Sequence, residues 1–294
     1  MSFGLPGLAG LHCCLVNPIA QLYTPVQHAA LWLGAVFHGL ESFDDFATAA
    51  HGLAASHALA GDEHYALAGV VKKLRQVTAP LTNPPPTPEP ILSLVLAGPG
   101  EPPPVEPGTA AAFALHRAGA GIVVRDPDPL VVHVLVPEVI TDTPVELWDP
   151  EDGPLGQWRW QWFTTGKRPS LLHEVGPGDA DRLLATATSE AATLIGQRKR
   201  QPTATPVDPR LTIGRLDDYF DYPGIPAATP LRTQQLLARA DRVTAVVHTT
   251  IFAAGDHSLD GELFRLARPI RQARAAATNY ALADFARSAF AARR

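Results

Sequence analysis

Ile91-Leu-Ser-Leu-Val-Leu96, Gly121-Ile-Val-Val-Arg125, Leu130-Val-Val-His-Val-Leu-Val136, Val145-Glu-Leu-Trp148 and Trp158-Arg-Trp-Gln-Trp-Phe163 carry nearly all the strand signal of this chain. These runs are short, rich in β-branched or aromatic residues, and punctuated by Gly, Pro and Asp. Between Arg125 and Leu130 stands Asp-Pro-Asp-Pro, where the Asp side chains bond nearby backbone and each Pro fixes φ. Runs 121–125 and 130–136 therefore read as an antiparallel hairpin. A second hairpin is expected to join 145–148 to 158–163 through Asp149–Gly156, and only Gly108–Ala118 reads as a helical connection. Two hairpins and one crossover give an α+β class: a central, mainly antiparallel sheet over residues 91–166, flanked by an N-terminal helical lobe and C-terminal helices.

Period-2 alternation assigns the faces. Val132, Val134 and Val136 share one side with Leu130, and Val131, His133 and Leu135 the other, so this strand is covered twice. Trp158, Trp160 and Trp162 point one way, opposite Arg159, Gln161 and Phe163. Three indoles in a row could form a stacking platform or partner surface; the favoured reading is a sheet face buried beneath helices, where aromatics contribute large apolar area.

Outward from the sheet, the first 79 residues read as a helical lobe. Thr24-Pro25-Val26-Gln27 opens a helix that Gly39 stops. A second is expected after Ser42, carrying Phe43, Phe46, Ala47, Ala50, Leu53 and Ala54 and closing at Gly61; a third follows Asp62. Residues 80–90, with Asn83-Pro-Pro-Pro-Thr-Pro-Glu-Pro90, form a stiff connector. The sheet domain is assigned to 91–200, a long Pro-containing loop to 201–229, and helices packing on the sheet to 230–294, the whole being compatible with one compact domain. On the last helix Leu263, Leu266, Ile270, Ala273, Ala277 and Tyr280 lie on a narrow seam, with Arg265, Arg268 and Arg271 outside it and Arg274 at its edge. The seam suits either a contact with 230–253 or a homodimer.

Composition bounds the function. At 294 residues, 46% hydrophobic and 18% charged, the chain is globular, not disordered. No Lys or Arg precedes Lys72, and no run of about 18 apolar residues exists, so neither a secretory signal nor a membrane span is expected and the cytoplasm is the default. The cysteines, Cys13 and Cys14, are adjacent and cannot staple distant segments. Net charge −5 disfavours nucleic acid as a partner. The last 32 residues nevertheless carry seven Arg, and docking of this basic tail on the acidic lobe is expected.

Histidine is the most uneven feature: His12, His28, His38, His51, His57 and His64 all lie in the N-terminal lobe beside several carboxylates. Imidazole and carboxylate hold Zn, Fe or Ni, but ligands on a helix want i, i+3 or i+4. His51, His57 and His64 are six and seven apart, so they are weak metal candidates and no cofactor is predicted. As pH falls through about 6.5 these histidines would add positive charge, favouring a pH-dependent contact. Asp256-His-Ser258-Leu-Asp260-Gly261 imitates a calcium loop, but the bidentate Glu position is Ala267, which removes the calcium logic. Gly166-Lys167 and Ala97-Gly-Pro-Gly100 fail as phosphate loops, and no Gly-x-Ser-x-Gly elbow occurs.

What remains favours contact surfaces over catalysis. The leading expectation is a cytoplasmic, non-enzymatic protein-binding or adaptor protein that meets another protein or itself, using Asp217, Asp218, Tyr219, Phe220, Asp221 and Tyr222 with the Trp face. The alternative is an enzyme with a pocket between the helical lobe and the sheet, where His133, Arg125 and Arg159 supply polar groups and the N-terminal histidines a metal or general base.

Overall fold

A computed structural model describes residues 25–62, 64, 66–83, 87–141, 156–166, 175–198, 224–254 and 260–293. In chain order these form α1 (Val26–Phe37), α2 (Phe43–His51), β1 (Ser56–Leu59), α3 (Ala66–Thr82), β2 (Leu92–Leu96), α4 (Ala110–Ala118), β3 (Ala120–Arg125), β4 (Val132–Ile140), β5 (Gln157–Thr165), α5 (Pro177–Arg198), α6 (Leu231–Ala254) and α7 (Asp260–Ala292). The sheet order is β1-β5-β4-β3-β2; every neighbour is antiparallel except β1, which runs parallel to β5. The fold is α+β.

The hairpin turn works as its chemistry dictates. Asp126 Oδ1 accepts from the Asp128 amide at 2.8 Å, and Asp128 Oδ1 from that of Leu130 at 2.9 Å. α4 joins β2 to its antiparallel neighbour β3, so the expected crossover is instead a helical connection between adjacent strands; it is capped at both ends, with Thr109 Oγ1 accepting from the Ala112 amide and Gly119 in the left-handed conformation. β5 departs from expectation. Its neighbours are β4 along its whole length and β1, whereas 145–148 lies outside the described residues.

A second departure is larger. The helix opened by Ser42, whose side chain accepts from the Asp45 amide, ends at His51 instead of running to Gly61. The chain then extends, and Ser56–Leu59 pairs with Gln157–Trp160. The N-terminal segment is thus not purely helical; it supplies one edge of the sheet.

The sheet's two faces differ. Val95, Val123, Val132, Val134 and Val136 pack under α4 through Ala111, Ala114 and Leu115. The opposite face, with Leu92, Leu94, Ile122, Leu135, Trp158 and Trp160, lies beneath α1, α3 and α7 in one core that continues to Phe285. N-terminal and C-terminal helices therefore share a side, with α5 and α6 packed outside α7. The seam on α7 is used inside the chain: Leu266, Ile270, Ala273 and Ala277 are all buried.

Candidate functional site

Two histidines on the helix-covered face are held alike. Trp160 Nε1–H donates to His57 Nδ1 at 3.2 Å, so the His57 proton sits on Nε2, which donates to the Ala50 carbonyl at 2.7 Å. Trp158 meets His57 edge-on at 5.3 Å. Burial holds this imidazole below its usual pKa, and the bond to Ala50 opposes that only in part. Trp158 and Trp160 are buried core residues around His57, so they do not offer an open stacking platform. Trp162 is half-buried, with Lys73 Nζ 5.4 Å from its ring centre.

His133 repeats the device. Trp162 Nε1–H donates to its Nδ1 at 3.2 Å, Nε2 bonds Asp126 Oδ2 at 2.9 Å, and Thr164 Oγ1 lies 3.0 Å from Nδ1. Desolvation pushes the Asp126 carboxyl up, but the Asp128 amide and His133 outweigh it and hold the pKa below the ordinary range. Carboxylate, imidazole and hydroxyl stand in the order of a nucleophile triad. The indole N–H, however, already engages the one lone pair that would receive the Thr164 proton. This arrangement orients the ring; it does not free a base.

The other expected polar groups do not join His133. Arg125 pairs with Glu89 at 2.5 Å, and strand alternation puts both Arg125 and Arg159 on the face opposite His133. His51 bonds the Ala47 carbonyl on an exposed helix surface, His57 is buried, and His64 is exposed. No group of three or more His, Cys, Asp or Glu side chains suited to a metal occurs among the described residues. The acidic-aromatic stretch Asp217–Tyr222, the adjacent Cys13 and Cys14, and the Asp256 segment lie outside them.

A site that sequence reasoning missed lies at the open edge of β2. Ile91 O accepts from Arg125 of β3 and Ala97 N donates to Gly119 just before it, so on alternation Leu92, Leu94 and Leu96 direct their peptide groups away from the sheet. Asn279 of α7 takes both groups of Leu94: its Oδ1 accepts from the amide at 2.7 Å and its Nδ2 donates to the carbonyl at 3.1 Å. Beside this clamp is a cavity of about 640 Å³, walled by β2, the loop 100–104, the entry to α5 and α7. Its lining is mainly apolar, with Leu94, Leu96, Pro102, Val175, Ala276 and the Tyr280 ring among its walls.

The polar groups of this cavity converge on one loop. Gly98 and Glu101 exchange backbone bonds around Pro99-Gly100, where Gly100 has φ 76°, the geometry of a type II turn. The turn carries Glu101 to three α7 side chains: Gln272 Nε2 donates to it at 3.2 Å, Arg271 Nε lies 3.4 Å away and Arg268 Nε 3.9 Å. Arg271 is 1% exposed and donates through Nη2 to the Pro99 carbonyl at 2.9 Å, while its buried Nη1 has no partner among the described residues. A Cβ at Gly98 would stand 2.7 Å from the guanidinium carbon, so glycine is what lets the cation lie flat on the loop. Burial lowers the Arg271 pKa, Glu101 draws it back, and Arg268 adds to the lowering. The signals available in sequence were the Pro99-Gly100 turn and Asn279, a single amide after Ala275-Ala-Ala-Thr278.

The cavity spans two stretches of chain that comparison with known families separates. Neither a curated protein nor a solved structure matches this chain. Residues 27–174 match the N-terminal domain of the Rv1486c-like protein, and residues 178–275 match its C-terminal domain. With β2 and the Pro99 turn in the first and Arg271 in the second, the chain belongs to the Rv1486c-like protein family.

Proposed function

We propose that this protein is a binding protein whose recognition element is the cavity at the β2 edge, and that its ligand is a small, largely apolar molecule. The observation that carries this is a preformed hollow of about 640 Å³ with apolar walls and a few convergent polar groups, the usual make-up of a small-molecule site. Among the described residues the polar groups at its wall are Glu101, Arg268, Arg271, Gln272, Asn279 and Tyr280, and none of these is an activated nucleophile. Recognition, not bond-breaking, is the chemistry these groups support.

The test is direct. N-phenyl-1-naphthylamine, a neutral fluorescent probe, should bind the full chain with one-to-one stoichiometry. Replacing Ala276 on the cavity wall with Phe should weaken it by about tenfold or more, as a ring fills the space. Undiminished binding to a folded A276F variant would remove this reading.

A second reading, a protein partner or a second copy of the chain, draws on Phe113 of α4 and Leu130 of the hairpin, which are 69% and 73% exposed. These side chains are well separated in the sequence and mark no continuous patch on their own. Phe113→Ser and Leu130→Ser should shift the mass measured by light scattering if they seat a partner copy, and leave it unchanged if the cavity alone works. Among the described residues no helix is long and apolar enough to cross a membrane.

A further inference from the structure

We propose that the molecule received at the β2 edge carries one anionic head, a carboxylate, on its apolar body. This rests on the small-molecule reading above and adds the chemistry of the ligand to it.

The acidic and basic side chains of the lining are Glu101, Arg268 and Arg271. Two guanidiniums thus face one carboxylate. That carboxylate is divided: it accepts from Gln272 at 3.2 Å, and the two cations stand 3.4 and 3.9 Å from it, longer than a tight charge-assisted bond of about 2.7–2.9 Å. Arg271 is the exceptional member. It is almost wholly removed from water, and its Nη1 is without a partner among the described residues. A buried cation in this condition is costly unless another negative group completes its shell. The loop provides only Glu101, which Gln272 and Arg268 share; a bound anion at the cavity wall would supply a second negative group.

The entry to α5 strengthens the sign. Gly176 and Pro177 line the cavity, so the positive end of a 22-residue helix lies at its wall. Asp179 in that first turn is paired with Arg182 on the same helix. Leu94, Leu96, Val175 and Ala276 make an apolar wall for the body, and the remaining polar lining, Gln272, Asn279 and Tyr280, adds no formal charge to it. One net positive charge beside an apolar hollow matches a singly charged amphipath. A dianion would leave a second charge unpaired.

Displacement of N-phenyl-1-naphthylamine from the full chain by octanoate, 1-octanol and octyl phosphate reads this out. Octanoate should compete at about tenfold lower concentration than 1-octanol, the scale of one added charge-assisted contact. Octyl phosphate, with about two charges near neutral pH, should compete no better than octanoate. Arg271→Met should bring octanoate and octanol to within about twofold of each other. That variant disturbs a buried position, so Glu101→Gln supplies an independent arm. It removes the competing carboxylate and should raise the preference for octanoate by about threefold or more. Equal competition by octanol and octanoate, or an unchanged preference in E101Q, would overturn the anionic head while leaving the cavity reading intact. Octyl phosphate competing about tenfold better than octanoate would overturn the single-charge carboxylate. If the neutral reporter does not bind at all, the cavity reading itself is lost.

Discussion

His38 shows how burial changes what a residue contributes. It closes α1 at 5% exposure, and burial first, then the nearby Arg293 charge, lowers its pKa to about 4. The unfolded chain takes a proton there below about pH 6.5; the folded chain does so only near 4. The fold therefore has its full stability above 6.5 and loses it as pH falls through that window, by up to about 3 kcal/mol at this position. Urea midpoints measured between pH 7 and 4 should fall accordingly, and His38→Gln should flatten the slope. A wild-type midpoint that stays level would show that His38 is protonated inside the fold. His57, also lowered, works in the same direction. The cluster of N-terminal histidines was plain in the sequence. That two of them are withheld from titration near pH 6.5 was not, because burial depends on partners such as Trp160, 103 positions away.

Elements with local causes were legible, and those fixed by distant pairing were not. The Asp126–Pro129 turn forms as expected, and the helix expected within Gly108–Ala118 forms between caps at Thr109 and Gly119 that local residues supply. β1 is different. Ala55-Ser-His-Ala-Leu-Ala60 is Ala-rich and continues a helical stripe, so propensity favours helix. Pairing with Gln157–Trp160 and the seating of His57 among the tryptophans override it. Space between elements is also set tertiarily. Gly121 of β3 lies beneath α4, where a Cβ would collide with Leu115 and approach the Leu135 carbonyl at 3.1 Å. Gly121→Ala should push α4 off the sheet and cost about 1–3 kcal/mol, read as a lower urea midpoint. Gly61→Ala, with open space but φ 83°, is a useful comparison, since its cost is backbone strain alone.

Across the whole molecule, α7 is the organising helix, and its burial explains the part of the site that sequence patterning missed. A narrow apolar seam suits a helix that touches one neighbour, but α7 touches α1, α5, α6 and β2. Arg271 and Arg274, outside or at the margin of the seam, are both enclosed. The basic tail does not simply dock on the acidic lobe: Arg274 donates to Asp241 at 2.6 Å, to Thr244 at 3.1 Å and to Gln27 at 3.3 Å, tying α1, α6 and α7 together. Arg274→Met should destabilise the chain by about 1–3 kcal/mol as Thr244 and Gln27 lose their partner, while Asp241, 39% exposed, stays in reach of water; in a double-mutant cycle with Asp241→Leu the combined loss should be smaller than the two single losses added. Additive losses would mean the two side chains act independently. The hollow beside Asn279 has a different kind of implication. One of its walls comes from residues 94–104 and the other from α7, on either side of the break between the two family domains. Neither stretch alone encloses the hollow, so a chain that kept only one of them would lose this cavity along with the missing wall.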